Sequence, residues 1–204
     1  MGFRKLLLCS CSVMFVLSAA VPALADGSEA ETRVREANDR LRELLRSDES
    51  AAEIGQLVDS LLDYEGLARS ALDAHWDRLT TAQRTEFIEL FKRLVAKAYR
   101  DNLKDTLDNI AVDFLGWEMT PRSSVVVKTR VKKIQTRRNR RAEVLINYEM
   151  HLVDGVWKMV DVTTDDVSLV QSYRDSFNNI IGDAANFDAG WSDLLGRMRR
   201  KLEE

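Results

Sequence analysis

The segment from residue 141 to residue 164 constrains the fold more than any other part of the chain. In "RAEVLINYEMHLV", every second side chain is apolar, and this set comprises Ala142, Val144, Ile146, Tyr148, Met150 and Leu152. This alternation predicts a β-strand with one buried face. Asp154-Gly155 follows, a strong signal for a two-residue hairpin turn, and "VWKMVDVTT" returns as a second strand. The chain therefore contains an antiparallel hairpin whose apolar face must be covered by something else.

Two further strands precede this hairpin. "AVDFLGWEM", residues 111–119, reads as the first strand of the sheet. "SVVVKTRVKKI" alternates again, and Val125, Val127, Thr129 and Val131 lie on one face of it. The sequence thus predicts a curved antiparallel sheet of about four strands, with one face apolar and the other open to water.

Helical periodicity dominates both ends of the chain. Before the strands, Asp63 reads as one helix N-cap, and Thr80 with Gln83 forms a capping box for the longest helix. After the strands, we expect helices over about 168–181 and 188–201. Helices that precede and follow an antiparallel sheet predict an α+β fold in which they pack against that sheet. Nothing marks a linker, so residues 26–204 are predicted to form a single domain.

The first 25 residues have the pattern of a secretory signal peptide. Arg4 and Lys5 form a basic start, an apolar run extends from Leu6 to Ala20, and Ala23-Leu24-Ala25 is an A-x-A cleavage site. We therefore expect an exported, periplasmic protein of 179 residues beginning at Asp26.

The composition of the mature chain excludes several function classes. Cys9 and Cys11 both lie in the leader, so neither a disulfide framework nor a cysteine nucleophile is expected. Removing Arg4 and Lys5 leaves 28 basic and 33 acidic side chains, a formal charge of −5, which does not suggest a nucleic-acid partner. His75 and His151 have no companion ligands at useful spacing, so neither a metal nor another cofactor is expected.

Two groups of residues resemble parts of catalytic sites, and a structural role is favoured for both. Asp165-Asp166 could act as an acid–base pair, but acidic residues before a helix more commonly cap its free N–H groups. His75 beside Trp76 lacks an orienting partner, so we expect Trp76 in the core and His75 at the surface. The protein is therefore predicted not to be an enzyme.

A basic run, "KKIQTRRNRR", connects the second and third strands. It is either a solvated hairpin tip or a contact for anionic headgroups or an acidic partner surface. In the second interpretation the contacting residues are Arg137, Arg138, Arg140 and Arg141, and the protein approaches a membrane transiently without inserting.

Two long stretches resemble a known family, the MlaC-type periplasmic phospholipid-binding proteins, also called the toluene-tolerance auxiliary family. In "VWKMVDVTTDDVSLVQSYRDSFNNII" the matching positions are Trp157, Lys158, Asp161, Val162, Val167, Ser168, Leu169, Val170, Tyr173, Arg174 and Phe177. In "DYEGLARSALDAHWDRLTTAQRTEFIELFKRLVAKAY" they are Asp63, Leu72, Trp76, Thr80, Gln83, Phe87, Phe91, Leu94 and Tyr99. The chain departs from the pattern at Asp73, where the family usually has glycine.

The resemblance implies a nuclear-transport-factor-2-like fold whose sheet and helices enclose an apolar cavity for the acyl chains of a phospholipid. It also implies a carrier that moves lipid between an outer-membrane lipoprotein complex and an inner-membrane ABC transporter with an MCE-domain protein, supporting outer-membrane lipid asymmetry. Strand alternation then predicts the cavity lining as Val125, Val127, Val131, Val144, Ile146 and Tyr148, faced by Leu169, Val170 and Tyr173.

Other functions are also compatible with the sequence. The same fold could carry another apolar lipid, such as a hopanoid, or serve as an interaction domain with a filled core. An enzyme of this fold would place an Asp/His pair in the cavity, but His151 is predicted to lie on the opposite strand face from Ile146 and Tyr148.

Overall fold

The computed structural model describes residues 26–47, 51–106, 110–121, 123–133 and 143–204. Helices α1 to α4 come first, strands β1 to β5 follow, and α5 and α6 end the chain. Their bounds are α1 Gly27–Arg46, α2 Ala51–Leu61, α3 Tyr64–Leu72, a 3-10 helix Asp73–Arg78, α4 Thr81–Thr106, β1 Ile110–Met119, β2 Val125–Lys133, β3 Glu143–Val153, β4 Val156–Thr164, β5 Val167–Ser168, α5 Leu169–Gly182 and α6 Phe187–Glu203. The predicted α+β fold is confirmed.

The sheet is a simple antiparallel meander. Its strand order is β1-β2-β3-β4-β5, so each strand pairs with its neighbour in sequence. The predicted hairpin turn between β3 and β4 is confirmed, since Val153 pairs with Val156 and the two turn residues, Asp154 and Gly155, have φ of 50° and 76°. Such left-handed angles at both central positions suit the right-handed twist of the flanking strands.

Local hydrogen bonds fix the starts of two helices where the sequence predicted them. The Asp63 carboxylate accepts from the backbone N–H of Gly66 at 2.9 Å and caps α3. At the start of α4, Gln83 Oε1 accepts from the Thr80 N–H at 2.9 Å, and Thr80 Oγ1 accepts from the Gln83 N–H at 3.3 Å. Both sets satisfy N–H groups that have no partner inside the helix.

The junction between the sheet and α5 differs from the sequence-based prediction. Val167–Ser168 is a short fifth strand paired with Thr163 and Thr164, and α5 begins one residue later than expected. Ser168, not the Asp165-Asp166 pair, caps α5, because its hydroxyl accepts from the Gln171 N–H at 2.9 Å.

The expected capping role of Asp165 and Asp166 is therefore wrong. The chain must reverse sharply between β4 and β5, and both residues have positive φ, 44° and 68°, in that turn. Asp165 is used instead to hold β3, since its carboxylate accepts from the Leu145 N–H at 2.9 Å. The carboxylate that serves the start of α5 is Asp161 on β4, which accepts from the Val170 N–H at 3.0 Å.

Among the described residues, most of the buried apolar side chains belong to two clusters. The helical cluster consists of side chains from α3 to α6 and the 3-10 helix, with Phe87, Phe91, Leu72 and Leu194 at its centre. The sheet cluster joins Ala30 and Val34 of α1 to the apolar sheet face, on Val125, Val127, Met150, Trp157 and Met159. Leu62 packs against both clusters, and Asp63 N–H donates to the Met159 carbonyl at 3.0 Å, so the two layers are joined beside β4.

Helices α5 and α6 approach each other closely at Gly190. A Cβ at this position would lie 2.8 Å from both the Cα and the carbonyl oxygen of Ile181, which are backbone atoms that cannot move aside independently. We expect Gly190→Ala to lower the free energy of unfolding by about 1–3 kcal/mol through overpacking. Urea denaturation measures this change.

Gly196 in the same helix provides the matched control. A Cβ there would meet only Arg200 Nη1, at an ordinary 3.6 Å. Gly196→Ala should therefore stabilise the protein by roughly 0.5–1 kcal/mol, because alanine loses less conformational entropy in a helix. Equal effects of the two substitutions would contradict the close helix approach.

Candidate functional site

The apolar face of the sheet is the candidate site. The register between β2 and β3 pairs Val125 with Met150, Val127 with Tyr148, Thr129 with Ile146, and Val131 with Val144. Because alternate residues of a strand point to the same side, these eight side chains share one face. The six strand residues predicted to line a cavity are thus brought together on one surface.

Burial divides this face into a closed end and an accessible end. Val125 and Val127 have no accessible surface, because α1 covers them with Ala30 and Val34. Val131, Val144 and Ile146, by contrast, are only partly buried, as is Tyr148 between the two ends. The apolar surface that a ligand could touch without moving α1 therefore lies toward Val131, Val144 and Ile146.

The three predicted residues of α5 lie in different environments. Val170 is buried in the helical cluster, and Tyr173 packs against it with its ring 5.3 Å from that of Phe91 and 5.6 Å from that of Phe177. Leu169 is 44% exposed and lies outside both clusters. The structure thus places Val170 and Tyr173 in the helical layer and Leu169 at the surface.

The polar groups of the candidate face are either neutral or satisfied. The Thr129 hydroxyl donates to the Ile146 carbonyl at 2.7 Å, which removes an unpaired donor from the apolar surface. Burial raises the pKa of the Tyr148 phenol, although a hydrogen bond with Thr129 acts in the opposite direction. Burial likewise raises the pKa of the Tyr173 phenol. Both phenols therefore remain uncharged at neutral pH, and the surface suits an apolar ligand.

The residues weighed for catalysis lie away from this face. Trp76 is buried as expected, and the ring of His75 stacks on that of Phe187 at 5.9 Å. His151 alternates with Met150 on β3 and lies 3.4 Å from the Glu149 carboxylate on the opposite side of the sheet. Within the described residues, no group of three or more His, Cys, Asp or Glu side chains could hold a metal ion.

The predicted basic contact at Arg137, Arg138, Arg140 and Arg141 lies outside the described residues, as does the predicted signal peptide, residues 1–25. At the end of the β2 segment that is described, Lys132 forms an ion pair with Asp113 at 2.7 Å.

Sequence reasoning missed a groove between α1 and the start of β1. It has a volume of about 660 Å³, and its lining includes Arg35, Arg42 and Arg46 from α1 opposite Val112 and Phe114. The three arginines are seven and four residues apart, a spacing that places them on one side of a helix. That spacing is visible in the sequence, but it does not indicate a groove unless β1 is known to lie beside this face of α1.

Among solved structures, the chain is similar to a phospholipid-binding protein from Ralstonia solanacearum, determined in complex with a phospholipid. The two share 20% sequence identity, the match covers 87% of this chain and 98% of that chain, and the TM-score is 0.67, which establishes a common fold. A comparison with curated proteins finds no match.

Each helix in the described part of the chain is too short or too polar to cross a membrane. The model of the family described as MlaC protein matches residues 32–196, which include both stretches that carry the resemblance. The match extends over most of the chain and includes the four principal strands and the helices around them. The resemblance seen in the sequence is thereby confirmed: the chain belongs to the MlaC family.

Proposed function

We propose that this protein is a periplasmic phospholipid carrier. Family membership over residues 32–196 carries the proposal and favours a binding or transport role over catalysis. The phospholipid bound to the structurally similar Ralstonia protein supports the same cargo class. The carrier shields the acyl chains of its cargo from water and needs no cofactor for this.

The energetics explain why such a carrier needs an apolar surface of this kind. Each methylene group removed from water contributes about 0.8 kcal/mol, so a chain of some sixteen carbons exposes roughly 12 kcal/mol of unfavourable contact. Aliphatic side chains hide that surface without directional bonds. They therefore accept acyl chains of different length.

The accessible end of the sheet face is the proposed acyl-chain site. Val131, Val144, Ile146 and Tyr148 contact the cargo first, since they retain accessible surface. Val125 and Val127 join the lining only when α1 moves away, because α1 now encloses them. Val170 and Tyr173 of α5 provide the opposing layer, and Leu169 lies at its solvent edge.

The separation of the two apolar clusters supports a space between the layers. A single filled core would join both layers throughout, whereas the described part of the helical layer meets the sheet along β4, through Leu62 and through α3 and α5. Opening the layers around that connection would admit acyl chains with little loss of packing inside either cluster. The helical cluster then remains intact whether or not cargo is bound.

In this role the protein collects lipid at one membrane and delivers it at the other. The proposed partners are an outer-membrane lipoprotein complex and an inner-membrane ABC transporter with an MCE-domain protein, and the cycle supports outer-membrane lipid asymmetry. The carrier itself approaches either membrane without inserting. The basic run that includes Arg137, Arg138, Arg140 and Arg141 is the proposed contact with these partners or with headgroups.

The mature protein, expressed with its leader and purified from the periplasm, is expected to contain bound phospholipid. Buried acyl chains would leave only slowly, because their exposure to water is unfavourable. Organic extraction followed by mass spectrometry identifies the lipid and gives its ratio to protein. Repeated isolation without lipid, and no uptake from phospholipid vesicles, would contradict the proposal. Recovery of a hopanoid instead would establish a carrier of different cargo.

A further inference from the structure

The groove between α1 and β1 combines a cationic wall with an apolar one. Arg35, Arg42 and Arg46 of α1 contribute the charge, and Ile110, Ala111, Val112 and Phe114 of β1 form the facing wall. Its volume of about 660 Å³ lies within the range of small-ligand sites.

Arg42 is anchored by one hydrogen bond and has further N–H groups available. Its Nη2 donates to the Ile110 carbonyl at 3.1 Å, which anchors the guanidinium across the groove. Its Nε is enclosed and has no hydrogen-bond partner in the part of the chain that the structure describes. A guanidinium offers five N–H donors, and within the described ranges Arg42 forms no ion pair with a carboxylate. Among the described residues, Arg42 is therefore a partly buried cation without a carboxylate partner.

Two other charges of the groove are paired with residues outside its lining. Arg35 pairs with Glu31, and its Cζ lies over Phe114, 3.9 Å from the ring centroid. Glu43, one of two carboxylates among the described lining residues, pairs with Arg40 at 3.1 Å. Asp39, the other, opposes an anion, so the net attraction comes from Arg42 and Arg46.

The apolar wall of the groove continues into the candidate acyl-chain site. Val112 of the groove pairs with Val131, and Val131 pairs with Val144, so one row of valines crosses three strands. Phe114, Thr129 and Ile146 form the next row in the same way. A ligand whose tail lies on Val144 and Ile146 thus has a continuous path to the arginines of α1.

We propose that the α1–β1 groove binds a phosphate group through Arg42 and Arg46, and, resting on the proposed function, that this group is the phosphodiester of the lipid cargo. Planar guanidinium groups match phosphate oxygens in geometry and in charge. Binding of the phosphate at this site fixes how far the acyl chains extend over the sheet face, because they begin at the groove. It discriminates phospholipids from neutral lipids with the same tails.

The test compares lipid probes that have the same tails and differ in whether they carry a phosphate-containing headgroup. Mature protein freed of lipid is titrated calorimetrically with dioctanoylphosphatidylglycerol, with dioctanoylglycerol and with inorganic phosphate. The wild type should prefer the phospholipid to the neutral lipid. Arg42→Gln should weaken phospholipid binding about tenfold, since a charge-assisted contact is lost, and leave dioctanoylglycerol binding unchanged. Arg200→Gln, an equal change of charge on the exposed face of α6, should alter neither.

These measurements test the phosphate site independently of the carrier function. Loss of inorganic phosphate binding in Arg42→Gln with unchanged phospholipid affinity supports a phosphate site that serves the free ion. If Arg42→Gln and Arg46→Gln affect neither phospholipid nor phosphate, the groove is not a phosphate site and the proposal is overturned. A wild type that binds neither lipid contradicts the carrier function, while the phosphate titration still reports on the groove.

Discussion

Replacing Ile146 by tryptophan is expected to remove most of the bound lipid. Ile146 lies at the accessible end of the apolar sheet face, beside Thr129 and opposite Thr164. A tryptophan there would occupy the space of the acyl chain. If two methylene groups of the acyl chain can no longer be buried, the cost is about 1.6 kcal/mol, roughly a tenfold loss of affinity. The measurement is the molar ratio of phospholipid to protein after identical purification.

The neighbouring residue supplies a matched control. Leu145 is on the same strand but points to the opposite face and is 42% exposed. Leu145→Trp adds the same side chain to the same strand, so any general effect on folding or expression should be similar. We expect this variant to retain a wild-type lipid ratio. Equal lipid content in both variants, with unchanged circular dichroism, would place the cargo elsewhere.

Features with a strong local cause could be predicted from the sequence. The Asp154-Gly155 turn depends on two residues that adopt positive φ readily, and the Thr80 and Gln83 cap depends on side chains three residues apart. The alternation in β3 correctly gave the shared face of Val144, Ile146 and Tyr148. In each case the deciding interaction lies within a few residues along the chain.

Features decided by distant parts of the chain could not be predicted. Strand β5 has two residues and exists because Val167 and Ser168 meet Thr164 and Thr163 across a tight turn. The contrast between enclosed Val127 and accessible Val131 depends on where α1 crosses the sheet. The periodicity of β2 does not indicate where α1 crosses, so the alternation identified the apolar face but not its accessible end.

The backbone conformation at Asp73 shows why a glycine suits this position of the family pattern. Asp73 replaces the usual glycine, and the structure gives it φ of 47° at the end of α3. Glycine adopts such a conformation without steric cost, whereas a side chain is strained there. The backbone turn from α3 into the 3-10 helix that carries Trp76 therefore favours a glycine at this position.

Phe87→Ala is expected to cause the largest loss of stability. Phe87 has no accessible surface, and its ring lies 5.6–5.7 Å from those of Phe91, Phe177 and Trp191. Truncating a buried phenylalanine typically costs about 3–5 kcal/mol, because both burial and packing around the cavity are lost. Since the whole domain is stable by only about 5–15 kcal/mol, this single change removes a large share of it.

Urea denaturation at matched lipid content measures the loss, because cargo bound to the native state would otherwise raise the apparent stability. Leu115→Ala is the control, since Leu115 is 47% exposed on edge strand β1 and its truncation should change stability by no more than about 0.5 kcal/mol. Phe87 also lies in the helical cluster and not on the sheet face. Phe87→Ala should therefore weaken the fold while the remaining folded protein binds lipid normally. A selective loss of lipid at unchanged stability would mean that the helical cluster itself opens to the cargo.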